Sequence, residues 1–328
     1  MLKGNCDSYM NCHNWSIKSF VSSIVHQTFI SISSQHIQSP LMQSKVKCLF
    51  WAIPLVFHAS EANAWGLMTH LYFAHSLLWA MPLLDPRLRA AIQKFPELVM
   101  AGACLPDLAI ISKKHRDTHD WQHAHILLES ANSEEEIAIA IGYASHLYVD
   151  VIAHNHFVPA HEEMWIDRGM LAHIASEWAM DAHLAPLLDV SPGRLLRRHT
   201  NQLTQFIAPH FGCSNTETRK LIPKLSFWDD TLRVFKIPSL IYQASRLADK
   251  RVHKHFIYYI AKTQLAIADI GLVLTGTTPE WEAELVNLNA EQLSVWRLEC
   301  LGDLALLHPS PIRHFAPASR EKALAIQA

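Results

Sequence analysis

A chain of 328 residues that is half hydrophobic and only 18% charged is a folding sequence, not a disordered one. Its formal net charge of −2 leaves no basic footprint for nucleic acid. Ten glycines, few alternating runs and many amphipathic stretches argue against a sheet-rich architecture and predict an all-α protein, a multi-helix bundle.

Residues 1–41 are polar with little hydrophobic periodicity, and read as a dispensable leader or as the product of a start placed too early. Met42 opens a segment with the three parts of a secretory signal. Lys45 and Lys47 are basic, CLFWAIPLVF (48–57) is apolar, and HASEANA ends in the small-residue triplet Ala62–Asn63–Ala64. Ten apolar residues are too few to span a bilayer. Residues 42–64 are therefore expected to be a signal peptide, the protein to be exported to the periplasm or the medium, and the mature chain to begin at Trp65. That chain would keep Cys104, Cys213 and Cys300, enough for one disulfide at most.

From Trp65 onward, helices are expected at 67–80, 87–94, 121–131, 134–157, 169–186, 194–208, 229–247, 250–274 and 280–299, with a loop over about 102–119. Ser133 should cap the 134–157 helix and Pro159 should end it. The apolar stretch 256–274 contains Lys262, Gln264 and Asp269, which marks a core helix rather than a membrane span. No linker is evident. Residues 65–190 form a core onto which the helices of 191–309 pack, and 310–328 is a loosely ordered tail.

Histidine is the unusual residue, with 22 in the chain and ten of them between His115 and His183. In SHLYVDVIAHNHFVP (145–159), His146, Asp150 and His154 are spaced i, i+4, i+8, one stripe of a helix. The rest of that helix is apolar, so a solvated polar stripe is disfavoured, and two imidazoles with a carboxylate suit one or two zinc ions. MLAHIASEWAMDAHL (170–184) repeats the device with His173 and Glu177. Two facing helices can supply a shared site in a bundle core. Asp181 continues that stripe and reads as an orienting residue or salt-bridge partner. Upstream, GACLPDL places Asp107 in a loop, and HRDTHDWQHAH offers His115, His119, His123 and His125, more than any one ion needs.

In this order the segments resemble the zinc-dependent phospholipase C family. That superfamily includes bacterial phospholipases C, the phospholipase domain of glycosylphosphatidylinositol phospholipase D and the S1/P1 nucleases. The resemblance runs from about Trp65 to His183 and implies an all-helical domain with up to three zinc ions. It implies that the free amine and carbonyl of Trp65 bind zinc together with His70, at the short WGLMTH spacing of the nuclease branch. Asp107 maps to a ligand and candidate general base, His119 to the next ligand, and His146 with Asp150 to a pair whose aspartate bridges two ions. His173 with Glu177 is the glutamate form found in phospholipases. The remaining ligand is His154 or His156. Helix geometry favours His154, because six residues turn a side chain well off the Asp150 stripe unless the helix breaks near Asn155 or Pro159.

The resemblance implies a zinc-dependent phosphodiesterase that hydrolyses phospholipids by attack of a metal-bound hydroxide on phosphorus, with transient contact at a membrane surface. An S1/P1-type single-strand nuclease and a non-catalytic zinc-binding module are the alternatives. Nucleic acid is a partner only under the first of these. The Gly-Asp and Gln-Pro elements that flank the pair in secreted relatives are missing, which marks a divergent member.

Overall fold

The computed structural model describes residues 66–80, 84–165, 170–283, 288–307 and 314–315. Trp65, the signal-like segment 42–64, residues 1–41 and most of the tail lie outside the described residues. Among those described, every regular element is helical. Thirteen α-helices follow in chain order: α1 Leu67–Ala80, α2 Pro86–Lys94, α3 Pro96–Gly102, α4 Trp121–Ser130, α5 Glu134–Ile152, α6 Val158–Trp165, α7 Met170–Leu184, α8 Pro192–Ile207, α9 Asn215–Val234, α10 Ile237–Ala248, α11 Val252–Ile267, α12 Ile270–Leu274 and α13 Ala290–Leu306.

The bundle is built around α5. Ser133 Oγ accepts from Glu136 N–H and the Glu136 carboxylate accepts from Ser133 N–H, a reciprocal cap. Glu134, Glu135 and Glu136 place negative charge at the positive end of the helix dipole. Every residue from Ile137 to Ile152 is buried, because α1, α2, α3, α4 and α11 all pack against this one helix. Residues 134–164 are long and apolar enough to cross a membrane, yet the apolar window is wholly buried in protein, as befits a core helix.

Two glycines set how closely α3 approaches α5. A Cβ on Gly142 would lie 2.0 Å from the Val99 carbonyl oxygen, and one on Gly102 would lie 2.3 Å from that of Ile139. Both clashes are with backbone, so no side-chain motion relieves them. This approach carries the chain after α3 over the face of α5 that bears His146 and Asp150.

Several expected boundaries are corrected. Pro159 does not end the helix: α5 gives way to a π-helical turn at Ala153–Phe157, and α6 continues straight on through Pro159. Proline has no N–H to offer the carbonyl four residues back, and its ring crowds that carbonyl, so the turn widens around Asn155 instead of stopping. The expected 229–247 helix is two helices, α9 and α10, parted at Lys236, whose φ of 54° is left-handed. The first half of α9 escaped the sequence pattern because Pro223 stands inside it. The last expected helix begins at Ala290, where Asn289 and Gln292 form a capping box, not at 280. Helix α3 was not expected at all. Cys104, Cys213 and Cys300 are all free and buried. Of the tail, His314 and Phe315 are buried against Tyr148.

Candidate metal centre

The α1 N-terminus is anchored from another helix. Asp181 on α7 accepts hydrogen bonds from Thr69 N–H and Thr69 Oγ1, both at 2.8 Å, and from Met68 N–H at 3.3 Å. These bonds satisfy N–H groups that a helix start leaves open. Arg233 of α9 donates to the same carboxylate at 3.0 Å. A Cβ on Gly66 would sit 2.3 Å from the Asp181 carboxyl carbon, so the chain enters α1 pressed against this anchor. One turn further on, α1 presents His70.

Asp150 is the hub. Its Oδ1 lies 3.2 Å from His70 Nε2 and 3.7 Å from His154 Nε2, and its Oδ2 lies 3.0 Å from His146 Nε2 and 3.4 Å from His119 Nε2. Asp107, carried on the 3₁₀ turn Pro106–Ile111, points its Oδ1 at His146 and His119 from 3.9 and 4.0 Å. Two helical turns along the stripe, His154 meets α7, where His173 Nε2 is 3.0 Å from Glu177 Oε1. Three groups result, each with donor atoms close enough to share an ion: His70, His146 and Asp150; Asp107, His119 and His146; and His154, His173 and Glu177. All are buried except His173, whose side chain is 15% exposed and marks the rim.

The donor atoms fit a cation. His146 Nδ1 is 2.7 Å from the Ala103 carbonyl oxygen, so the ring donates there and its Nε2 carries a lone pair in the neutral form. That lone pair faces His119 Nε2 at 3.2 Å and Asp150 Oδ2 at 3.0 Å. Both Asp150 oxygens, Asp107 Oδ1, His154 Nε2, His173 Nε2 and Glu177 Oε1 are buried without a hydrogen-bond partner. Converging acceptors of this kind repel one another until a positive charge lies among them, and mixed imidazole and carboxylate donors suit zinc.

The titration of these groups points the same way. Burial pushes Asp107 up to about 8 and Glu177 up to about 7, only partly offset by His146 and His173 respectively. Burial holds His119 and His154 down at about 3, hence neutral and ready to donate. Burial opposes the charged form of Asp150 too, but the His146 and His70 imidazoles outweigh it and hold the carboxyl well below its usual range. Metal-free protein at pH 6 should therefore carry protons on Asp107 and Glu177, and zinc should displace both. Because these folded-state values are raised, the protons stabilise the metal-free fold at low pH, and that contribution is lost as pH rises through about 7 and 8. The infrared band of a protonated carboxyl should be present at pH 6 without zinc and disappear on adding zinc or on raising the pH above 9. A band untouched by zinc would place both acids outside the centre.

The eight described residues expected from sequence as ligands, excluding the His156 alternative, come together here, and Trp65 lies outside the described residues. His156 points elsewhere: its ring lies between Trp281 and Trp296, at centroid distances of 5.6 and 5.5 Å. His115 and His123 pack on Phe211, away from the hub. Sequence reasoning missed Glu162 on α6, whose Oε1 is 3.9 Å from His173 Nδ1, and Arg297 on α13, which binds Glu162. No spacing rule links them, since 135 residues separate the pair.

No curated protein and no solved structure matches the chain. A family model does match, over residues 69–213, a span that holds His70, Asp107, His119, His146, Asp150, His154, His173 and Glu177 but neither Trp65 nor α13. The family is described as zinc dependent phospholipase C, and residues 69–213 of this chain are similar to it.

Proposed function

We propose that this protein is a zinc-dependent phosphodiesterase that hydrolyses phospholipids in the manner of a phospholipase C. The observation that carries the reading is Asp150, a buried carboxylate whose two oxygens face different imidazoles. In this reading Asp150, with Asp107, His119 and His146, would hold one ion. Asp150, with His70 and the amine and carbonyl of Trp65, would hold a second, and His154, His173 and Glu177 would hold a third. His146 can serve only one ion, because its Nδ1 is committed to Ala103. Bound zinc lowers the pKa of water and polarises a phosphoryl oxygen. Asp107, whose Oδ1 faces His146 and His119, is the candidate general base in this reading. Burial of the other groups excludes bulk water, and the exposed edge of His173 is where substrate enters.

The basic, apolar and Ala-x-Ala order of residues 42–64 supports export with cleavage before Trp65. Large apolar side chains exposed on α9 and α10, namely Phe227, Val234, Leu240 and Leu247, support transient contact with a lipid surface.

The test is hydrolysis by the zinc-loaded, processed protein of phosphatidylcholine vesicles, a lyso-lipid and single-stranded nucleic acid, with phosphorus products identified. Release of a phosphorylated head group from lipid is the expected result. Cleavage of nucleic acid alone would establish the nuclease reading, and no cleavage of any substrate would reduce the protein to a zinc-binding module.

A further inference from the structure

We propose that α13, which lies outside the family segment, is a working part of the metal centre, with Arg297 and Glu162 as positioning residues for His173. This rests on the reading of His154, His173 and Glu177 as a zinc cluster. The argument starts from ring chemistry. Zinc bound at His173 Nε2 takes that lone pair, so the ring proton must sit on Nδ1 and needs an acceptor. The acceptor facing Nδ1 is Glu162 Oε1, at 3.9 Å and within ion-pair range. Glu162 is available in that pose because Arg297 occupies its other oxygen. Arg297 Nε and Nη2 both donate to Oε2, at 2.9 and 2.6 Å, and leave Oε1 to the imidazole. Both charged side chains are largely buried, so the pair is little screened. Arg297 also balances the negative charge that Glu162 would otherwise bring beside the ligands.

A second set of contacts from the same C-terminal segment acts on His154. Pro159 cannot donate to the Asn155 carbonyl four residues back. Trp296 Nε1 of α13 donates to it at 2.7 Å, and Cys300 Sγ lies 3.5 Å away. The Asn155 side chain in turn donates to the Glu282 carbonyl at 2.9 Å and to Val151 at 3.1 Å. The residue next to His154 is thus clamped between α5 and the segment leading into α13. The neighbours of two candidate ligands of one cluster, Asn155 beside His154 and Glu162 facing His173, are thus each bound from α13. Occupancy of the site that His154 and His173 share should therefore depend on α13.

The experiment uses the full chain, dialysed against a fixed free zinc concentration that saturates the wild type, with bound zinc counted by elemental analysis. Glu162→Gln and Arg297→Met should each lose about one equivalent of zinc, with affinity at the weakest site lowered about 10- to 100-fold. Arg297→Lys should recover much of it. The thermal midpoint of metal-free Glu162→Gln should stay close to that of the metal-free wild type, which a purely structural role would not allow. Wild-type zinc affinity in both variants would overturn the proposal. So would a uniform loss from all sites accompanied by a collapsed metal-free midpoint. A wild-type protein that binds no zinc would instead sink the functional reading on which the proposal rests, and the two failures are told apart by that control.

Discussion

Asp150→Asn should reduce phosphodiesterase turnover by a factor on the order of 10³ or more, because metal ions contribute several kcal/mol to stabilising such a transition state and about 4 kcal/mol corresponds to that factor. The substitution keeps the volume of the side chain and removes its charge. It also turns one acceptor oxygen into an N–H₂ group at the point where His70 and His154, or His146 and His119, converge. Among the described residues, no other carboxylate reaches both sets of imidazoles: Asp107 faces His119 and His146, and Glu177 faces His173. Zinc content should fall by more than one equivalent. Helicity should be retained, because the polar contacts of Asp150 are with the other donor groups and not with backbone that builds α5. Steady-state kinetics, elemental analysis and far-ultraviolet circular dichroism on the same preparation check this. A variant that keeps both zinc and turnover would show that the hub lies elsewhere.

Removing zinc from the wild type should lower the thermal midpoint by about 8–16 °C. A ligand present at a thousandfold its dissociation constant stabilises by about 4 kcal/mol, and each kcal/mol shifts a domain of this size by about 2–4 °C. The direction follows from the interior of the site. Without a cation, buried nitrogen and oxygen acceptors face one another at 3.0–3.4 Å around Asp150, and burial forces Asp107 to take up a proton. Melts with chelator, then with zinc restored, measure the effect. Magnesium at the same concentration should not restore stability, because a nitrogen-rich donor set does not suit it. A midpoint indifferent to chelator would contradict the metal reading.

On the proposal made here, the Glu162–Arg297 pair extends the candidate centre beyond the segment that matches the family model. Residues 69–213 supply every described candidate ligand, yet Asn155, next to His154, and Glu162, facing His173, are bound by residues 282–300. C-terminal truncation, even far from the ligands in sequence, is thus expected to act on the chemistry and not only on folding.

How much was legible in the sequence follows from the range of the interactions involved. The all-α class, the bounds of α1 and α4 and the cap of α5 could be read directly, because helix period and capping are set within a few residues. The same period placed His146, Asp150 and His154 on one stripe, and His173 with Glu177 on another. The capping box at Asn289 and Gln292 was equally local, and would have moved the start of α13 had it been weighed above hydrophobic pattern. Pro159 was misread because proline's effect depends on what happens to the carbonyl it leaves open. In isolation that carbonyl would end a helix, whereas here Trp296, 141 residues away, takes it up. The facing of His156 toward Trp281 and Trp296, and the pairing of Arg297 with Glu162, likewise join residues that no spacing relates. Sequence alone therefore determined which side chains share a helix face. Only the tertiary structure decided which faces meet, because that depends on backbone approach at Gly102 and Gly142 and on side-chain packing across the bundle, neither of which has a period to read.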